Sequence, residues 1–312
     1  MIAALVCSAT LVATPAPAYS VNQVGKMIGQ EALCFAFAPS GYRFAAGMAD
    51  NSVKVFDAKT RKTLKTLKGH KFPARAVAWS PKGRRIASGA ENAEIRVWDV
   101  KSGNSFSLTG HQRGIQWLAF NRSGTRLLST SDDDTLRVWD LNKRKTVLTI
   151  KGNGINLYGA RYNRAGTRII VGTLGKGMCL YSASNGKLLK SFGEHGGVGV
   201  NDVDINSSYT RAVTAGRDGK VGVWDLKKSK RISYLQGHKD WVMRVSLSPN
   251  GRLLASSAAD GTVRVWDMNG LKPVATLQNQ SYMGSPVAWS ASSGYLVTIG
   301  SDYFVRIYTV TK

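Results

Sequence analysis

One feature limits this chain more than any other: a turn glycine that keeps returning. It stands at Gly41, Gly83, Gly124, Gly166, Gly251 and Gly294, with Tyr209 in its place once, so that neighbouring positions are 41 to 43 residues apart. The stretch 237–267 shows what is repeated. Val245 and Leu247 alternate with polar residues, Pro249-Asn250-Gly251 turns the chain, and Leu253-Leu254-Ala255 follows. Asp260-Gly261 is a hairpin signal, and Val263, Val265 and Trp266 form a third short strand. A period of roughly 40–45 residues with four strands per unit describes the blade of a propeller, because one such unit cannot bury its apolar face without its neighbours.

The units carry further marks. Gly237-His238 and Trp266-Asp267 resemble the GH and WD signatures of WD40 repeats, and the likeness runs over residues 24–312. It implies an all-β, seven-bladed propeller. Inner strands are expected near 33–37, 76–79, 117–120, 158–162, 200–205, 243–247 and 286–289. The chain stops after a third strand, and residues 24–28 form a strand with no repeat of their own. The N-terminal strand is therefore expected to complete the last blade and cover an otherwise open edge. The expected organisation is one propeller over 19–312, a monomeric ring.

Residues 1–18 differ from the rest. The run 2–13 is apolar and uncharged, and Ala16-Pro17-Ala18 is a small-x-small cleavage signal, as in a secretory signal peptide, although no Lys or Arg precedes the run. The expected location is periplasmic or secreted if this segment acts as a signal, and cytoplasmic otherwise. No apolar run reaches the roughly 18–20 residues that span a bilayer. Of the three cysteines, Cys7 lies in the signal-like segment, while Cys34 and Cys179 fall on well-separated blades and read as small buried hydrophobes.

The likeness also assigns the scarce polar groups. It implies structural tetrads of His111, Ser129, Asp133 and Trp139, of His195, Thr214, Asp218 and Trp224, and of His238, Ser256, Asp260 and Trp266. Blade two keeps His70, Ser88 and Trp98 but has Asn92 for the acid; blades one and seven keep only Asp50 and Asp302. Blade four departs furthest, with Asn153, Gly175 and Tyr181-Ser182, and is expected to be the softest. All four histidines are thereby assigned to structure. No Cys pair, His cluster or Gly-rich loop has metal or nucleotide spacing, so the reading is a non-enzymatic protein with no catalytic residue, metal or cofactor.

Two acids remain. Asp202 and Asp204 alternate with Val203 and Ile205 on an inner strand, and Arg161 and Arg244 occupy matching positions on the flanking blades. The four are expected to meet near the axis as an inter-blade salt-bridge network, or else as a small ligand site.

Charge supplies the second clue to function. The chain has 43 Lys and Arg against 19 Asp and Glu, a formal charge of +24. Antiparallel topology sends the first-to-second and third-to-fourth turns of every blade to one face, here the lower. That face receives Lys82, Arg84, Arg85, Arg122, Lys143, Arg144, Lys145, Arg164, Lys227, Lys228, Lys230 and Arg231. The upper face takes Glu31, Glu91, Asp132, Asp134, Glu194 and Asp240, with Phe72, Arg113, Trp241, Tyr282 and Met283 as candidate contacts. Two functions are thereby expected: an exported scaffold for protein partners, as the WD40 likeness implies, or a sequence-blind binder of an acidic protein, an anionic envelope polymer or membrane headgroups through the basic face. Nucleic acid is a natural partner only for a chain that is not exported.

Overall fold

The computed structural model describes residues 19–193, 195–281 and 286–312, with backbone alone for 28–30. The signal-like segment with Cys7, and Glu194, Tyr282 and Met283, lie outside the described residues. All regular structure among the described residues is β. Five sheets have four strands each, and a sixth has seven. The seven-stranded sheet is two blades that share one strand, so the ring has seven blades.

The shared strand is Ser20–Phe37, eighteen residues long. Its first half pairs antiparallel with the last strand, Phe304–Thr311, from Ser20 opposite Thr311 to Met27 opposite Val305. Its second half pairs with Arg43–Met48 as the inner strand of blade one. The expected separate strands at 24–28 and 33–37 are thus one continuous strand. The physical reason is that each half pairs with a different neighbour, and the backbone at Gly29 between them stays extended instead of turning. The other inner strands are Ala74–Trp79, Ile115–Phe120, Leu157–Tyr162, Val200–Ile205, Val242–Leu247 and Ala288–Trp289. Each touches the next, and the last touches the first, which closes the ring.

The core lies between blades. Every pair of neighbouring blades encloses its own apolar cluster. One holds Ile86 and Trp98 with Val53 and Val55. Another holds Ile169 and Val171 with Leu136 and Val138. At the seam, Val297, Ile299 and Val305 of blade seven pack on Phe44 and Phe56 of blade one. A blade therefore buries both faces only when two neighbours are present, which is why the fold must close or repeat.

β-bulges recur near the upper end of the inner strands. In blade five the register slips between Val200 and Asp202, and in blade six between Val242 and Arg244. A bulge leaves one residue unpaired and re-aims its side chain. Here it releases Asn201, which donates to the Val242 carbonyl at 2.9 Å and ties the two blades together. Cys34 and Cys179 are buried free thiols. Burial pushes the Cys34 thiol up to about 12, so it stays protonated and unreactive.

Candidate functional site

The four histidines each sit under a blade rim, buried against a hydroxyl and an acid. In blade three, His111 Nδ1 lies 2.8 Å from Asp133, Nε2 lies 2.6 Å from Ser129 Oγ, and Trp139 Nε1 donates to the same Oγ at 2.8 Å. Blade five has the same arrangement, with His195 2.8 Å from Asp218 and 2.7 Å from Thr214, which also accepts from Trp224. So does blade six, with His238 3.1 Å from Asp260 and 2.8 Å from Ser256, which accepts from Trp266. A carboxylate can only accept, so Nδ1 carries the proton, Nε2 accepts the hydroxyl proton, and the hydroxyl oxygen accepts from the indole. The neutral imidazole this requires agrees with its environment: burial lowers all four imidazoles from 6.5, and the neighbouring acids only partly counter it.

The acids are equally engaged. Burial pushes the Asp133 carboxyl up, but hydrogen bonds from Thr135, the Gln112 amide and His111 outweigh it and hold the group at about 2. Asp50, Asp133, Asp218, Asp260 and Asp302 each accept the backbone N–H two residues on, which fixes the hairpin turn. On the lower face, Asp57, Asp99, Asp140, Asp225 and Asp267 accept backbone N–H groups of the turns that follow them.

Two blades solve the same problem with other residues, which the repeat pattern does not show. In blade two the acid is Glu94, 3.2 Å from His70 Nδ1, while His70 Nε2 and Trp98 share Ser88. Asn92 leaves the acid position empty, and the longer Glu94 side chain reaches it from two residues later. Blade seven has Gln280, Thr298 and Tyr308: Thr298 donates to Gln280 Oε1 at 2.7 Å, and Gln280 Nε2 is 3.3 Å from the Tyr308 hydroxyl. The expectation that this blade keeps only Asp302 is corrected accordingly. Blade four has Val171 at the hydroxyl position, buried in an apolar cluster, and Asn153 in the histidine position is exposed.

Of the four axial charges, only Arg161 and Asp204 form an ion pair. Arg161 Nε donates to Asp204 at 3.1 Å. Asp204 also accepts the Leu247 N–H at 2.9 Å, and Asp202 accepts those of Val203 at 2.8 Å and Val245 at 3.2 Å. Both acids therefore clamp blade five to blade six. Burial raises the Asp202 carboxyl to about 6. Gly159 makes the room, since a Cβ there would overlap the Asp202 carboxylate. Arg244 instead rests over the Trp117 ring, 4.9 Å from its centroid, and Arg161 lies over the same ring at 4.3 Å.

On the upper face, Trp241 is 46% exposed. Arg217 lies over it at 4.6 Å and over Tyr158 at 5.8 Å, and donates from Nε to Asn201 at 2.9 Å. The bulge that frees Asn201 thus positions the arginine, and the arginine positions the indole. Neither Arg217 nor Tyr158 is signalled by the repeat. Phe72 and Arg113 are exposed in the loops before the inner strands of blades two and three. Among the described residues no ring or cation contact links them to Trp241.

On the lower face, the twelve candidate cations are exposed except Arg85, which is half-buried. Among the described residues, none of the twelve makes an ion pair. Arg144 lies over Phe106 at 4.5 Å and Arg231 over Tyr234 at 4.2 Å.

The repeat, the closed ring and the histidine networks now meet a comparison with known sequences. The WD40 profile, described as "WD domain, G-beta repeat", matches residues 22–57, 61–99, 103–140, 186–225 and 229–267, more than half of the chain. The chain belongs to the WD40 repeat family. The matched segments skip the first three strands of blade four and the strands Ala288–Trp289, Tyr295–Ile299 and Phe304–Thr311 of blade seven. Among its WD40 relatives, the WD repeat-containing protein SL1-17 of Schistosoma mansoni is 31% identical over 103 residues, 32% of this chain and 34% of the relative. Eukaryotic translation initiation factor 3 subunit I of Caenorhabditis elegans is 29% identical over 107 residues, 34% of this chain and 32% of the relative. The chain thus aligns with about a third of the length of either. WD40 propellers generally act as protein-interaction scaffolds and not as enzymes.

Proposed function

We propose that this WD40 ring is an exported, non-enzymatic scaffold whose protein partner docks on the upper face around Trp241. One observation carries the reading: a large, half-exposed indole held in place by Arg217, which is itself anchored on Asn201 and Tyr158. An aromatic ring whose ordering is complete before binding is the kind of group that dominates interface energetics. Assembly also fits the name of one relative, a subunit of a translation initiation factor. Export rests on the composition of residues 1–18, and the ring that follows would act as a monomer in the periplasm or outside the cell.

A second reading is favoured by the twelve lower-face cations without ion pairs. On it, the basic face holds an acidic protein, an anionic envelope polymer or membrane headgroups, with binding that weakens steeply as salt is raised. A pull-down from the envelope fraction at low and at about 0.5 M salt separates the two. Capture that survives salt and is lost in Trp241→Ala supports the scaffold. Capture abolished by salt, and by reversing Lys143, Arg144, Lys145, Lys227, Lys228 and Lys230 to Glu, overturns it in favour of the basic face.

A further inference from the structure

The propeller axis holds a cavity of about 530 Å³. That lies within the roughly 300–1,000 Å³ of small-molecule sites. Its wall is aromatic, with Phe35, Phe37, Trp79, Trp117, Phe120 and Trp289 all lining it. Set into this wall is Arg244, half-buried, with no acid within ion-pair distance among the described residues. The neighbouring acids do not answer it: Asp202 turns its oxygens to backbone N–H groups, and Asp204 takes Arg161 and the Leu247 amide. The indole N–H of Trp117, beneath both guanidiniums, is also buried without an acceptor among the described residues. Beside the Arg161–Asp204 pair and the Asp202 carboxylate, Arg244 and the Trp117 N–H are thus donors of this wall that no hydrogen-bond acceptor among the described residues takes up.

We infer that the axial cavity binds a small aromatic carboxylate, with its anionic group on Arg244 and its ring among the aromatic side chains of the wall. A guanidinium fork matches a carboxylate in two parallel hydrogen bonds, which a neutral ligand cannot reproduce. The approach is from below. Pro39, Pro81 and Pro249 of the lower turns line the cavity. Lys82 and Arg252 stand in those same turns. Positive charge around a low-dielectric mouth concentrates anions there. This site is separate from the upper-face reading above and does not depend on it.

Titration calorimetry with 2-naphthoate and its neutral isostere 2-naphthylmethanol tests the inference. Naphthoate is expected to bind at one site, about tenfold or more tighter than the alcohol. Arg244→Gln should bring naphthoate down to the affinity of the alcohol and leave the alcohol unchanged. Ala36→Phe, which fills the cavity without touching an arginine, should abolish binding of both. Equal affinity for the two probes, or unchanged naphthoate binding in folded Arg244→Gln, overturns the inference. If Arg244→Gln fails to fold, Ala36→Phe decides alone, and unchanged naphthoate affinity there overturns it equally.

Discussion

Removing one oxygen from blade three tests the account of what braces the ring. Ser129 Oγ stands between two buried partners, His111 Nε2 at 2.6 Å and Trp139 Nε1 at 2.8 Å. Ser129 is 0% exposed and Trp139 1%, so no water replaces the hydroxyl. Ser129→Ala leaves both nitrogens without a partner, at about 1–3 kcal/mol each, or about 2–6 kcal/mol together. Against a typical domain stability of about 5–15 kcal/mol, that is a large part of the whole. Equilibrium urea unfolding followed by far-UV circular dichroism gives the loss directly. A second variant sharpens the test. Trp139→Phe removes the indole donor, so in Ser129→Ala/Trp139→Phe only the imidazole is orphaned, and the double variant should lose less than the sum of the singles. A loss below about 0.5 kcal/mol for Ser129→Ala, the range of an ordinary surface change, or strict additivity in the pair, refutes the reasoning.

Acid should weaken the fold in a defined window. Burial holds His70, His111, His195 and His238 below 6.5, so on acidification the unfolded chain protonates first; stability is full above 6.5 and falls below it until the folded imidazoles protonate too. Asp202 works in the opposite sense, because its carboxyl is raised from 3.8 to about 6 and the folded state binds the extra proton between those values, offsetting part of the loss. Urea midpoints should therefore fall from pH 7 to pH 6, and a midpoint that holds steady or rises there contradicts the assignment. Gly159→Ala drives a methyl into the Asp202 carboxylate and should cost about 1–3 kcal/mol, measured as a lower thermal midpoint; a neutral result would mean that Asp202 does not need its place against blade four. Deleting residues 1–27 uncovers the edge of Phe304–Thr311, and light scattering should show self-association through that strand; a stable monomer would show that the ring does not rely on its shared strand.

The sequence discloses the blades because their period fixes everything at constant offset. The hydroxyl stands 18 residues after His111 and His238, and the acid 22. Such offsets survive any change of loop composition, so the histidine networks could be written down without coordinates. Glu94 escaped the same logic because a longer side chain reached the acid position from the wrong offset. Blade seven escaped it because Gln280 and Tyr308 replace the imidazole and the indole, while Thr298 keeps the hydroxyl. The Arg217 stack joins residues from three places in the chain, Tyr158, Asn201 and Trp241, through a bulge that no residue type announces. The exposure of the cations in the lower turns was legible, since turns lie at the surface. The pairing of the axial charges was not, because Asp202 and Asp204 chose backbone N–H groups over the nearby Arg244.

The strand shared by blades seven and one also dictates timing. Ser20 and Thr311 touch through their hydroxyls although 291 residues separate them in sequence. The middle blades can assemble from neighbouring segments, but residues 20–27 have nothing to pair with until Phe304–Thr311 is in place. This pairing is thus among the last to form, and the slow step of folding should be this long-range capture. Any factor that held the early segment extended and unpaired would speed assembly without altering the finished molecule.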